Sequence, residues 1–295
     1  MKRPRLTIWI SIVSTCVALS DGNALGGLSE TLVLKGSYSV PQWSTSSGVR
    51  SIAFDGPNLW TSQTTSWSSS LYKHNMDATL SVAGVYGSSS VYLTEMTFVN
   101  GALWTSDNMS NRTVRYAVGN PTSEVARYGQ PGLTDGAHGI TFDGSAFWLA
   151  QANNLARVDY PSGTLLGTWQ PGFASVIGVE WDPTRNSLWV LDQHRPSVLM
   201  TTTLREYKFD GTSVTEVASY DLWPYLSPYP GDPTIRVAAG LDVSGGYIWT
   251  SDYFDFELLQ FELQPVPVPG ALVLGAIGLS FSGLLCRRRR ETLSR

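Results

Sequence analysis

A pattern of about a dozen residues that returns five times constrains this chain more than any other feature. Its clearest copy is GITFDGSAFWLA, residues 139–150. Ile140 and Phe142 alternate with Thr141, the period of a strand with one buried face. Asp143-Gly144 supplies the positive φ that a tight reversal needs, and Phe147 and Trp148 resume a β-prone sequence. The other copies are SIAFDGPNLWTS (51–62), MTFVNGALWTSD (96–107), VEWDPTRNSLWVLD (179–192) and LDVSGGYIWTSD (241–252). Each second strand ends near a tryptophan, and these five, Trp60, Trp104, Trp148, Trp189 and Trp249, are spaced by 44, 44, 41 and 60 residues.

Between the hairpins the sequence supplies third and fourth strands: 70–76 and 79–86, 113–118 and 123–129, 155–163 and 164–169, 204–211 and 214–222. The last hairpin is followed by one strand only, 258–263, so the array stops one strand short. A lone strand at 30–40, with no hairpin partner beside it, fills that place. Four-stranded units of about 40 to 45 residues predict an all-β fold, a five-bladed β-propeller over 30–263 closed by the N-terminal strand. Closing the ring removes the free ends of the array. An insertion at 193–203 and a proline-rich loop at 223–233 account for the 60-residue spacing, and a degenerate unit over 205–236 would make six blades instead. The recurring tryptophans are expected to pack between blades. The repeats resemble propellers of the NHL/YVTN type, through the succession of apolar strand, Asp-Gly turn and Leu-Trp.

The net charge of −4 conceals an asymmetry. Eight of the 20 basic residues sit at the two ends of the chain with only one of the 24 acidic ones, Glu291, so the remainder carries 12 basic against 23 acidic groups. Such a body is a poor partner for nucleic acid. The two cysteines, Cys16 and Cys286, also lie in the apolar ends, which leaves the body without a disulfide framework or a thiolate metal site.

Residues 1–24 have the organisation of a secretory signal: Lys2, Arg3 and Arg5, an apolar run over 6–19, then small residues that permit a cut before Asp21 or after Ala24. At the other end, 264–269 is a linker with prolines at 265, 267 and 269. Residues 270–286 are free of charge, and the basic tail 287–295 opens on Arg287, Arg288, Arg289 and Arg290. As a helix the uncharged segment spans about 25 Å, at the short end for a bilayer. The arginines stop transfer and keep the tail cytoplasmic. This proline motif, transmembrane segment and terminal arginine cluster resemble the PEP-CTERM sorting signal of Gram-negative bacteria. The motif residues are Val266, Pro267, Val268 and Pro269, with Val268 where the family usually carries glutamate. The resemblance implies an exosortase-type processing enzyme as partner. It also implies export, anchoring in the inner membrane by the C-terminal helix, and delivery to the cell surface or medium of bacteria that make extracellular polysaccharide. The body is then expected to bind polysaccharide or another surface protein.

In a propeller, the starts of the first strands and the ends of the second strands share one face. The first set is Arg50, Thr94, His138, Ile177 and Ala239; the second is Gln63, Asp107, Gln151, Asp192 and Asp252. Asp107, Asp192 and Asp252, with His138 and His194, are therefore candidates to ring the pore mouth, where they could hold Ca²⁺ or another divalent ion. They could also serve as acid and base in a lyase or hydrolase acting on a sugar or lactone. No catalytic motif of a known kind occurs, so no catalytic residue is assigned and a binding or structural role is the first expectation. The remaining histidine, His74, is expected at a strand surface.

Overall fold

The computed structural model describes residues 30–40, 49–64, 69–77, 79–87, 93–194 and 199–266. The signal segment, the transmembrane segment, the arginine cluster and residues 267–269 of the sorting motif lie outside the described residues. A body of Glu30–Gln264 is distinct from the two chain ends.

The body is a propeller of five four-stranded sheets among the described residues. A lone strand, β1 (Glu30–Ser39), comes first. Blade 1 is β2 (Val49–Asp55), β3 (Asn58–Thr64), β4 (Ser69–His74) and β5 (Val82–Gly87). Blade 2 is β6 (Leu93–Val99), β7 (Ala102–Asp107), β8 (Arg112–Ala117) and β9 (Asn120–Gly129). Blade 3 is β10 (Gly139–Phe142), β11 (Phe147–Gln151), β12 (Asn154–Asp159) and β13 (Thr164–Trp169). Blade 4 is β14 (Val176–Asp182), β15 (Ser187–His194), β16 (Thr201–Phe209) and β17 (Val214–Asp221). Blade 5 orders β18 (Ala238–Ser244), β19 (Tyr247–Asp252) and β20 (Glu257–Pro265) from the centre outwards, with β1 as its outermost strand. The first strand of the body thus closes the last blade, and β18 packs back against β2.

Residues 205–236 do not form a sixth blade. They supply β16 and β17, then a short 3-10 turn at Trp223–Tyr225 and an irregular loop. Of the expected insertion at 193–203, residues 193–194 and 201–203 belong to β15 and β16, which run as paired strands as far as His194 opposite Thr201.

The tryptophans lie where blades meet. Trp60 packs on Phe98 of blade 2 with centroids 5.6 Å apart, and Trp104 on Phe147 of blade 3 at 4.5 Å. Trp148 meets Phe209 of blade 4 at 5.0 Å, and Trp249 meets Phe54 of blade 1 at 5.4 Å. Trp189 is buried in the cluster that joins blades 4 and 5. Each sheet has two faces to cover, and large flat side chains at one repeated position cover them in every gap. At the centre the blades converge, and side chains must shrink. A Cβ on Gly139 would come within 2.5 Å of Val179 on the neighbouring inner strand. His74 is not at a surface. It is fully buried, its Nδ1 lies 3.0 Å from the Leu80 carbonyl and its Nε2 lies 2.9 Å from Thr61 Oγ1. A carbonyl can only accept, so Nδ1 carries the proton and the Thr61 hydroxyl donates to Nε2. Burial lowers the pKa of this histidine, which keeps it neutral.

Candidate ligand site at the channel mouth

The inner strands β2, β6, β14 and β18 share one irregularity at the same end, one pair nearer the tryptophan in β18 than in the other three. Pairing jumps between Val49 and Ser51, Leu93 and Glu95, Val176 and Gly178, and Ala239 and Leu241. Each jump is a β-bulge with one extra residue on the inner strand: Arg50, Thr94, Ile177 and Gly240. Bulges re-aim side chains, and they are common beside functional sites. In blade 3 the residue at this level, His138, stands just outside β10 with its N–H donating to Ala150 at 2.7 Å. Gly240 adopts φ +68°, so blade 5 makes its bulge without a side chain and Ala239 takes the place at the mouth.

Arg50, Thr94, His138, Ile177 and Ala239 all line one cavity of about 260 Å³ at this end of the channel. Gln193, Met200, Tyr253 and Phe254 complete much of its wall, and among the described residues no aspartate or glutamate lines it. The Arg50 guanidinium lies over the Tyr253 ring, 5.4 Å from its centroid, and donates to the Tyr253 hydroxyl at 3.4 Å. Burial and the Arg50 charge lower the pKa of His138, so its imidazole is neutral at pH 7. The cavity therefore combines one permanent cation, one neutral proton acceptor and apolar walls.

The three aspartates expected here turn elsewhere. Asp107 accepts from the Met109 N–H at 3.2 Å and the Ser110 hydroxyl at 2.6 Å. Asp192 accepts from the Ala174 and Ser175 N–H groups at 2.8 and 3.0 Å and is ion-paired with Arg205 at 3.0 Å. Asp252 accepts from Ser227 at 2.6 Å and Phe254 at 3.1 Å, and burial raises its pKa. All three secure loop backbones. The equivalent glutamine in blade 3, Gln151, does the same for the Thr134 N–H at 3.2 Å. His194, half-buried at the end of β15, does not line the cavity. Of the candidates, the structure brings only His138 to the mouth. Among the described residues no group of three or more His, Cys, Asp or Glu side chains is placed to hold a metal ion.

Sequence reasoning passed over three buried carboxylates further along the channel: Glu95, Glu180 and Asp242, on β6, β14 and β18. Ser51 donates to Glu95 at 3.1 Å across the gap between blades 1 and 2, and the Phe54 N–H donates to Asp242 at 3.0 Å. Burial raises the pKa of all three, Asp242 to about 7, and Asp242 adds to the rise at Glu95 and Glu180. The available signal was an acid inside an otherwise apolar inner strand, as in Thr94-Glu95-Met96, Val179-Glu180-Trp181 and Leu241-Asp242-Val243.

No protein-family model and no curated protein matches this chain. Among solved structures it is similar to the glutaminyl cyclase of Myxococcus xanthus, with a TM-score of 0.63 and 14% identity over 81% of this chain and 98% of that one. A looser likeness, to a streptogramin B lyase, has a TM-score of 0.42 and 16% identity, covering 77% of this chain and 68% of the other. At such identities the cyclase likeness establishes the propeller fold and nothing about chemistry.

Proposed function

We propose that this is an exported, cell-surface propeller that binds a small organic anion, such as an acidic sugar unit of extracellular polysaccharide, at the mouth of its central channel. The observation that carries the reading is the cavity wall. In a body rich in acids, the described residues that line this cavity include Arg50 and His138 and no carboxylate. A guanidinium in a partly dry site binds a carboxylate by charge-assisted hydrogen bonds, and the apolar wall accepts the face of a sugar ring. Export rests on the terminal segments: the signal at 1–24, Val266 to Pro269, the uncharged segment and Arg287 to Arg290. The membrane and an exosortase-type enzyme are the partners these segments imply.

Calorimetric titration of the full chain with glucuronate and with glucose tests the binding. Glucuronate should bind at least tenfold more tightly, and Arg50→Ala should remove the difference. Equal affinities would overturn the reading. Fractionation of cells carrying Pro267→Ala with Pro269→Ala tests the sorting: unprocessed chain should accumulate in the inner membrane, and unchanged processing would refute it.

A neutral imidazole beside a guanidinium favours a second reading, a lyase or hydrolase in which His138 takes a proton and Arg50 holds the developing negative charge. Turnover of a uronate or lactone substrate that disappears in His138→Ala would support it, and turnover that survives would exclude it.

A further inference from the structure

The opposite end of the channel holds a cavity of a different character. Its volume is about 320 Å³. Phe54, Phe98, Phe142 and Trp181 occupy the same register position in four successive blades, paired with Leu59, Leu103, Phe147 and Leu188 of the adjacent strands. All four line the cavity. Glu180 and Asp242 stand one residue earlier, opposite Trp189 and Trp249, and also line it. Arg50 to Phe54 is four residues, so the two mouths lie about 13 Å apart along an inner strand.

We propose that this second mouth binds an organic ammonium group, held between the Glu180 and Asp242 carboxylates and faced by the aromatic wall. Three observations converge on that chemistry. First, Glu180 lines the cavity and is only 9% exposed, and its buried Oε2 makes no hydrogen bond. A buried carboxylate oxygen without a donor is costly, and a bound cation supplies the missing partner. Second, four aromatic residues line one small volume, and ring faces attract cations most strongly where water is scarce. Third, among the described residues no lysine or arginine lines the cavity. Arg157, which reaches the lining residue Asp143, is committed to it through an ion pair of 2.7 Å, which also keeps the Asp143 pKa low. The charge left for a ligand is that of Glu180 and Asp242, with Glu95 behind them.

An all-carboxylate metal site is a poorer fit, because no three of these groups converge at ligand distance among the described residues. An ammonium group needs no such convergence. It also gives a role to two acids kept in a channel where burial raises the pKa of both and Asp242 adds to the rise at Glu180. Binding a cation ionises them, so the site takes up its ligand more tightly as pH rises and releases protons as it does so.

Choline is a suitable probe and 3,3-dimethylbutanol its neutral isostere. Titrated into the full chain and followed by calorimetry and tryptophan fluorescence, choline should bind at least tenfold more tightly than the alcohol at pH 8. That preference should shrink as pH falls to 5. Glu180→Gln and Asp242→Asn keep the side-chain shape and should each reduce choline affinity at least fivefold, with unfolding midpoints not below that of the parent. A lysine-containing tripeptide separates a free small cation from a side-chain ammonium: tighter binding than choline assigns the site to peptides, and weaker binding to small amines. Equal binding of choline and the alcohol, or undiminished choline binding by the folded double variant, would overturn the proposal. The inference does not depend on anion binding at the other mouth, since glucuronate and choline report on separate cavities and either can fail alone.

Discussion

Arg157 lies directly across the sheet from Trp148, with its guanidinium 5.7 Å from the ring centroid and Asp143 joining the two. Asp143 Oδ2 accepts from Trp148 Nε1 at 2.9 Å and from Arg157 Nε at 2.7 Å, while its Oδ1 accepts from the Ser145 and Ala146 N–H groups, each at 2.8 Å. One carboxylate thus closes the hairpin turn, anchors the interblade tryptophan and fixes the cation that covers it. The cross-strand pairing recurs as Lys73 opposite Trp60 and Arg115 opposite Trp104, both at 5.6 Å. In blade 4 the residue opposite Trp189 is Glu206, and the cation comes from the turn instead, as Arg185 at 5.9 Å. In blade 5, Gln260 faces Trp249, and Tyr38 of the closing strand stacks on the indole at 5.7 Å.

The arrangement separates packing from polar contributions at one residue. Trp148→Ala should destabilise the body by about 3–5 kcal/mol, the range for deleting a buried aromatic. Trp148→Phe keeps much of the packing and loses one hydrogen bond to a charged acceptor, which should cost about 1.5–3 kcal/mol. Urea unfolding of the two variants measures both. A Phe variant as damaged as the Ala variant would mean that the indole N–H, and not the ring, holds this gap together.

The closing strand is pinned by a charge in the same way. Arg185 pairs with Glu30 of β1 at 2.8 Å and with the buried Glu206 at 2.9 Å. Arg185→Met would leave the Glu206 carboxylate, 1% exposed, with only Lys208 at 3.7 Å for company. Stranding a buried charge costs about 3–5 kcal/mol. Because Lys208 retains part of the pairing, the lower end of that range is expected in thermal unfolding. Glu206→Gln made together with Arg185→Met should recover part of the loss.

The repeat made the fold legible, since turn, tryptophan and strand period are local and recur. Trp148 packs between blades because every copy needs the same cover. The site was legible only in part, for a physical reason. Position along a strand is written in the sequence, and it places Arg50, Thr94, His138, Ile177 and Ala239 at one level. The direction in which a polar side chain turns depends on which backbone donors the next loop leaves unpaired. Asp107, followed by Asn108-Met109-Ser110, finds the Met109 N–H two residues on and the Ser110 hydroxyl three residues on, and it accepts from both. The bulges at Arg50 and Thr94 are facts of register between strands. The buried Glu180 and Asp242 depend on contacts between blades, which the sequence of one repeat does not contain.

Asp242 makes stability depend on pH in a calculable direction. Its folded pKa, about 7, lies above its ordinary value near 3.8, so the native state holds this proton more tightly than the unfolded chain. The associated stability is fully present below about pH 4 and is lost as pH rises through 7. His74 and His138, whose pKa values are lowered, act oppositely: their contribution is present above 6.5 and declines as pH falls through their folded values. A difference measurement removes the histidines from the comparison. Asp242→Asn keeps an acceptor for the Phe54 N–H and should match the parent at pH 4. At pH 8 it should be more stable by about 2–4 kcal/mol, each unit of pKa displacement being worth about 1.4 kcal/mol. Chemical denaturation at the two pH values decides it, and a variant less stable at pH 8 would mean that the ionised carboxylate is compensated within the fold.

His138 gives the first mouth its own pH signature. With the imidazole neutral at pH 7 to 8, Arg50 alone supplies positive charge, and anion affinity should be flat across that range. Below the lowered pKa of His138 the ring takes a proton and adds a second cation to the same cavity, so affinity for glucuronate should rise as pH falls from 6 to 5. The gain cannot come from the ligand, because a carboxylate begins to protonate over the same interval and weakens binding. His138→Ala should therefore remove the rise while leaving the affinity at pH 8 within about threefold, less than half a decade in binding constant. Titrations at pH 5, 6 and 8 on parent and variant test this. A rise that persists in the variant would assign the acid dependence to Asp252, the neighbour of Tyr253 whose pKa burial raises, and would remove His138 from contact with the ligand.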